Sequence, residues 1–175
     1  MLLGVLSDTH DYIRGARLAA RLFAQRGVDL VVHLGDIVAP FTLRALAEAG
    51  VKRLIAVYGN NDGERVLLAR VAERSGFEIT EWPRVVELGS RRVVLVHGYG
   101  SPDDTRRIVE TLAPGADLVL YGHTHVAEVR RLGSTLIVNP GEACGCLTGR
   151  ITAAIVDLDA MEAEIVELGR RDDHL

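Results

Sequence analysis

The sequence predicts an α/β protein, or α+β in schemes that weigh its hairpins, with two mixed β-sheets packed as a sandwich and helices on the outside. Three observations carry this prediction. Short apolar runs of strand length recur along the chain, amphipathic helical patterns separate them in the first half, and hairpin-like pairs replace those helices in the second.

In the first half, Leu2–Leu6, Leu30–Val32 and Leu54–Val57 are the apolar runs. Most such runs end at a glycine or a polar residue, as buried strands do where they emerge at a sheet edge. Tyr12–Arg26 lies between the first two runs. It places Ile13, Ala16, Ala20 and Phe23 on one helical face and Arg14, Arg17 and Arg21 on another, and Gly27 supplies a stop. Phe41–Ala49, closed by Gly50, and Glu64–Arg74, closed by Gly76, follow the same pattern. Strand and helix alternate here as they do in a parallel sheet with crossover helices.

The second half changes character. Val85–Leu88 and Arg92–Val96 form a predicted hairpin across Gly89-Ser90, and Thr105–Leu112 is a weaker fourth helix. After Leu118–Leu120, Glu128–Leu132 pairs with Leu136–Val138 at Gly133-Ser134, and Ile151–Leu158 pairs with Glu162–Leu168. No linker, repeat or low-complexity tract interrupts the 175 residues, so one domain spanning 1–175 is expected, with a polar tail, 169–175, left disordered.

Composition narrows the function classes. A net charge of −4 offers no basic patch for a nucleic-acid backbone, which argues against an obligate DNA or RNA partner. The N-terminus runs directly into Leu2–Leu6 with no charged leader, and no apolar run approaches the ~20 residues of a membrane span. A soluble, cytoplasmic protein without a membrane partner is expected. Cys144 and Cys146 are too close for an easy disulfide and too few for a zinc site, so they are taken as packed thiols in a reducing compartment.

The chemistry stands just past the ends of the apolar runs. Leu2–Leu6 leads into Ser7-Asp8-Thr9-His10, Leu30–Leu34 into Gly35-Asp36, and Leu54–Tyr58 into Gly59-Asn60-Asn61-Asp62. Val93–Val96 leads into His97-Gly98, and Leu118–Tyr121 into Gly122-His123-Thr124-His125. Ligands of α/β sheets bind outside the carboxyl ends of strands, so these groups can converge in one cleft. Each fragment alone has an ordinary structural reading. Asp8 can cap a helix, Gly35-Asp36 and Asn60 can be turn residues, and a lone His97 can be a packed histidine. Together, carboxylates and imidazoles at five strand ends point to a metal or catalytic site. His33, inside an apolar run, is assigned to the core or to support of the site, and His174 to the tail.

These motifs, in this order and spacing, resemble the calcineurin-like metallophosphoesterase superfamily, and most closely its small YfcE-type phosphodiesterase branch. Asn139-Pro140-Gly141-Glu142 matches a further block of that branch. The resemblance implies two divalent ions per subunit, drawn from Mn, Ni, Co, Fe or Zn. Asp8, His10 and His125 would hold the first ion, Asn60, His97 and His123 the second, and Asp36 would bridge them. It also implies hydrolysis of a small phosphate ester by in-line attack of a hydroxide shared between the ions, and a homodimer or homotetramer.

One position departs from the pattern. Many family members carry histidine after the ligand asparagine, where this chain has Asn61. Asparagine can touch a phosphate but cannot transfer a proton at neutral pH. The expected activity is therefore a phosphodiesterase acting on esters with good leaving groups, rather than a phosphomonoesterase. Gly98 and Tyr99 are further candidate substrate contacts, Glu142 a candidate for the mouth of the cleft, and Asp62 a cap for the helix near Glu64. A protein-interaction scaffold of the retromer-subunit type is the competing reading, since that subunit shares the fold with an altered metal site.

Overall fold

The computed structural model describes residues 1–172. Its first half contains β1 (Leu2–Leu6), α1 (Ile13–Gln25), β2 (Leu30–His33), α2 (Phe41–Glu48), β3 (Leu54–Val57), α3 (Arg65–Arg74) and β4 (Glu78–Thr80). The second half contains β5 (Arg84–Leu88), β6 (Arg91–Val96), α4 (Pro102–Leu112), β7 (Leu118–Tyr121), β8 (Glu128–Leu132), β9 (Thr135–Asn139), β10 (Arg150–Asp157) and β11 (Glu162–Arg170).

One sheet has the order β11-β10-β1-β2-β3-β4 and the other β5-β6-β7-β9-β8. Strands β1 to β4 run parallel, and so do β6, β7 and β9, while β10, β11, β5 and β8 are antiparallel additions at the flanks. The sandwich predicted from the apolar runs is therefore the observed architecture. The inner strands of both sheets are buried on both faces, while the flanking β4, β5, β8 and β11 are partly exposed. Leu3, Val5, Val32, Leu34 and Val57 meet Val93, Leu95, Leu118, Leu120 and Val138 between the sheets. The opposite face of the first sheet packs under the apolar stripes of α1, α2 and α3, with Phe23, Leu43, Leu46 and Leu68 at its centre. Helix α4 covers Val94, Val96, Val119 and Ile137 on the outer face of the second sheet. Burying both faces requires apolar residues in succession, and that is why the parallel strands read as unbroken runs.

Three expectations need correction. Strand β4 was not anticipated: it is three residues long and half exposed, and only its parallel pairing with β3 makes it a strand. Helix α4 begins three residues earlier than Thr105, because Ser101 and Asp104 form a reciprocal capping box around Pro102. The tail is ordered beyond residue 169. Strand β11 reaches Arg170, the Arg171 N–H donates to Gly149 O at 3.0 Å, and the Arg171 guanidinium lies 4.6 Å from the Tyr12 ring centroid. Residues 173–175, including His174, lie outside the described residues. Among the described residues no helix is long and apolar enough to cross a membrane.

Candidate metal centre

Five loops meet where β1, β2, β3, β6 and β7 end, and backbone hydrogen bonds stitch them together. The N–H groups of Asp8, His10 and Asp11 donate to Gly35, Asp36 and Ile37, so the loops after β1 and β2 run as a zipper. Cys144 N–H donates to Asp8 O and Gly122 N–H to His97 O, which adds the neighbouring loops. The approach of the β2 and β3 loops demands glycine at two positions. A Cβ on Gly35 would stand 2.6 Å from His97 Nδ1, and one on Gly59 would stand 2.2 Å from Asp36 Oδ1.

The backbone here is strained. Among the described residues, eight non-glycine residues have positive φ, and five of them are Asp8, His10, Asp36, His123 and His125. Left-handed backbone costs an L-residue ~1–2 kcal/mol, and such strain persists where surrounding structure fixes a functional posture. Val38, at φ 76°, is the extreme case because its β-branched side chain tolerates this region worst. Asp62 explains why it stays there. Its Oδ1 accepts from Val38 N–H and its Oδ2 from Gly59 N–H, both at 2.6 Å. The expected helix cap is therefore a clasp between two site loops, while the N-cap position of α3 falls to Glu64, which makes no side-chain cap. Val38→Gly is expected to hold or raise the melting temperature, by up to about 4 °C. A drop of several degrees in a thermal melt would show that the strain account is wrong.

The seven residues singled out from the sequence lie together, in two groups on either side of Asp36. His10 Nε2 is 3.4 Å from Asp36 Oδ2, and His97 Nε2 is 3.4 Å from Asp36 Oδ1. On the first side, donor atoms of Asp8, His10, Asp36 and His125 all lie within 4.8 Å of one another, and the rings of His10 and His125 stack at 5.3 Å. On the second, Asn60 Oδ1 lies 3.0 Å from His97 Nε2 and 2.9 Å from His123 Nδ1.

The outer nitrogen of three imidazoles is occupied. His97 Nδ1–H donates to Leu34 O at 2.7 Å, His123 Nε2–H to Gly100 O at 2.8 Å, and His125 Nδ1–H to Glu142 Oε2 at 2.7 Å. Carbonyls and carboxylates only accept, so in its neutral form each of these rings turns a lone pair inward. Inside, those lone pairs meet oxygen acceptors: Asn60 Oδ1 on one side and Asp8 Oδ1, 3.4 Å from His125 Nε2, on the other. Asp8 Oδ1 and His10 Nε2 are buried without any hydrogen-bond partner among the described residues. Acceptors facing acceptors, and orphaned buried atoms, are unfavourable in a metal-free protein. Both defects disappear with a cation in each group, so the residues fit a pair of divalent ions. Carboxylate, amide and imidazole donors suit borderline ions such as manganese, iron, cobalt, nickel or zinc.

Electrostatics sort the two carboxylates. Burial pushes Asp8 up to about 7, against the opposing pull of His125. Burial also opposes Asp36, but His97, the Asn61 N–H groups and His10 outweigh it and hold Asp36 below the usual range. Burial lowers His10 and His97. His125 is raised in spite of burial, by its bond to Glu142 and by Asp8. His33 lies behind the site as a neutral strut, pushed down to about 3 by complete burial. Its Nδ1 accepts from Gly35 N–H at 3.2 Å and its Nε2–H donates to Thr9 Oγ1 at 3.1 Å, so it supports both the β1 and β2 loops.

The candidate substrate contacts fall differently. Asn61 is exposed, yet its backbone N–H and its Nδ2 both donate to Asp36, at 2.8 and 2.7 Å, which turns its amide onto the carboxylate. Gly98 lets the chain pass Thr105 and His123, whose atoms a Cβ would meet at 2.7 to 3.0 Å. Tyr99 stands 68% exposed in a loop pinned at both its N–H and C=O by Thr105. Cys144 is buried and Cys146 exposed, and both are free.

A family model described as the calcineurin-like phosphoesterase superfamily domain matches residues 1–161. The chain belongs to that superfamily. Among curated relatives, a phosphodiesterase of Methanocaldococcus jannaschii is 35% identical over 93% of this chain and 96% of its own. The phosphodiesterase YfcE of Escherichia coli K12 is 29% identical over 81% and 78%. Among solved structures, one described as a novel archaeal phosphodiesterase superposes with a TM-score of 0.85 at 32% identity, covering 95% of this chain and 99% of that one. Vps29 of Entamoeba histolytica shares the fold alone, with a TM-score of 0.64 at 20% identity over 95% and 99%. Calcineurin-like phosphoesterases are metal-dependent, and in this chain two groups of potential donors lie on either side of Asp36.

Proposed function

We propose that the chain is a metal-dependent phosphodiesterase. Asp8, His10 and His125 would hold one divalent ion and Asn60, His97 and His123 another, with Asp36 lying between the two groups. The observation that carries this is the set of inward lone pairs with nothing to accept from, gathered on both sides of one carboxylate. Divalent ions bound there supply Lewis acidity toward the phosphate and make water a stronger acid.

The residues define what kind of ester fits. Two carboxylates, Asp8 and Asp36, leave the loaded site with net positive charge, and the neutral amide of Asn60 adds a donor without cancelling it. An anionic phosphate ester is favoured. Asn61 holds Asp36 in place from the substrate side and can donate a hydrogen bond, but it cannot protonate a leaving group. The chemistry is therefore limited to leaving groups that depart unaided. Across a series of aryl and alkyl diesters, the rate is expected to fall steeply as leaving-group pKa rises, and Asn61→His is expected to flatten that dependence. Equal slopes in the two proteins would overturn the assignment.

The decisive experiment strips the protein of metal, restores single divalent ions, and assays a panel of phosphate mono- and diesters. Hydrolysis of diesters with at least one ion is the expected result. If the protein takes up ions and cleaves no ester, the scaffold reading replaces this one. Ion uptake is also expected to depend on pH with a definite sign. Below about 7 the Asp8 carboxyl carries a proton that binding must expel. Apparent affinity should fall by at least about tenfold per pH unit on that side, because His125 is raised as well, measured by calorimetric titration at pH 5.5, 6.5 and 7.5. A flat profile would refute the role given to Asp8.

A further inference from the structure

Glu142 is fully buried, yet both of its oxygens are crowded with donors. Oε2 accepts from His125 Nδ1 at 2.7 Å, Cys146 N–H at 2.9 Å, Leu147 N–H at 3.0 Å and the Cys144 thiol at 3.2 Å. Oε1 accepts from Thr148 N–H at 2.5 Å, Thr148 Oγ1 at 2.8 Å and Leu147 N–H at 3.0 Å. Every partner donates, so only an ionised carboxylate satisfies the site. A neutral acid or an amide would set hydrogen against hydrogen.

We infer that Glu142 is the positioning residue of the first ion position: it fixes His125 as the Nδ1–H tautomer with Nε2 aimed at Asp8, and joins that posture to the turn from Cys144 to Thr148. The inference rests on the proposed function only in taking His125 as a donor to that ion. The geometry supports it from two directions. Rotating the His125 ring away from Glu142 would remove the inward lone pair and cost Glu142 Oε2 its shortest hydrogen bond, so ring and carboxylate hold each other. The same oxygen that receives His125 also receives the amides of Cys146 and Leu147, so imidazole and turn are fixed to one carboxylate. Carboxylates that orient metal-bound imidazoles typically account for 10–100-fold of metal affinity.

Two measurements test this. In zinc-loaded wild-type protein labelled with 15N-histidine, His125 should show a protonated Nδ1 and a metal-shifted Nε2. In competition titrations, Glu142→Gln should weaken the first ion about 10–100-fold and leave the second within about twofold. In a His125→Ala background the same substitution should leave ion affinity unchanged, because the residue acts through the imidazole. An equal loss in that background would assign Glu142 to the turn alone and overturn the inference. So would an Nε2–H tautomer in the wild type, a result that needs no variant to fold. A wild type that takes up no ion would instead remove the proposed function on which this rests.

Discussion

Asp8→Asn should make the metal-free protein more stable while destroying its activity. Asp8 lies fully buried, with its folded-state value raised to about 7 against an ordinary 3.8. The fold therefore favours the protonated carboxyl. This contribution is fully present below pH 4, is lost as the pH rises toward 7, and stays lost above it. At neutral pH the gap corresponds to a penalty of about 4 kcal/mol, as an upper figure. Asparagine carries no charge to desolvate. The metal-free variant is expected to melt about 5–10 °C above the metal-free wild type at pH 7.5, with the difference shrinking toward pH 4. With ions added the order should reverse, because the variant lacks a charged donor for the first ion. Diester hydrolysis should fall by at least about 10³-fold, as several kcal/mol of metal-derived stabilisation are lost. A metal-free variant that melts below the wild type at pH 7.5 would contradict this account of Asp8.

Asp36→Asn is the second large effect, and it should act on both ions together. Each carboxylate oxygen faces a different donor group across 3.4 Å, and each also receives one N–H from Asn61. An amide at this position presents one oxygen where two are needed and sets its NH2 against an Asn61 donor. We expect ion stoichiometry to fall from two to fewer than one at micromolar metal, and kcat/KM to fall by about 10³-fold or more. Retention of both ions, measured by elemental analysis after dialysis, would remove Asp36 from between them.

The convergence of the seven candidate donors was legible in the sequence because parallel strands announce their own ends. An unbroken apolar run that stops at Gly35-Asp36 or Gly122-His123 marks both a buried strand and the edge where ligands gather. The supporting residues were less legible, because their partners are distant in sequence. Asp62 looks like a helix cap on local grounds, and only the fold brings Val38, 24 positions away, to its Oδ1. Glu142 was a loop residue until the fold brought His125 to its Oε2. Strand β4 escaped notice because three half-exposed residues carry no period; its pairing with β3 defines it. Positive φ at aspartate and histidine left no trace in the sequence either, since neither residue announces left-handed backbone as glycine does.

The donors come from both layers of the sandwich: Asp8, His10, Asp36 and Asn60 follow strands of the first sheet, and His97, His123 and His125 follow strands of the second. Each ion held as proposed would therefore be a rivet through both layers. Free of metal, the two sheets are joined at this edge by hydrogen bonds such as His97 Nδ1–H to Leu34 O and His123 N–H to Asp8 Oδ2, and fluctuations that part them cost no coordination bond. Once loaded, any such opening must first release an ion, and at a hundredfold excess over the dissociation constant each ion adds about 2.7 kcal/mol to its cost. Metal thus sets how the chain comes apart as well as what it hydrolyses. Loading should merge sheet-by-sheet opening into one concerted transition, with slowed amide exchange reaching strands far from the cleft.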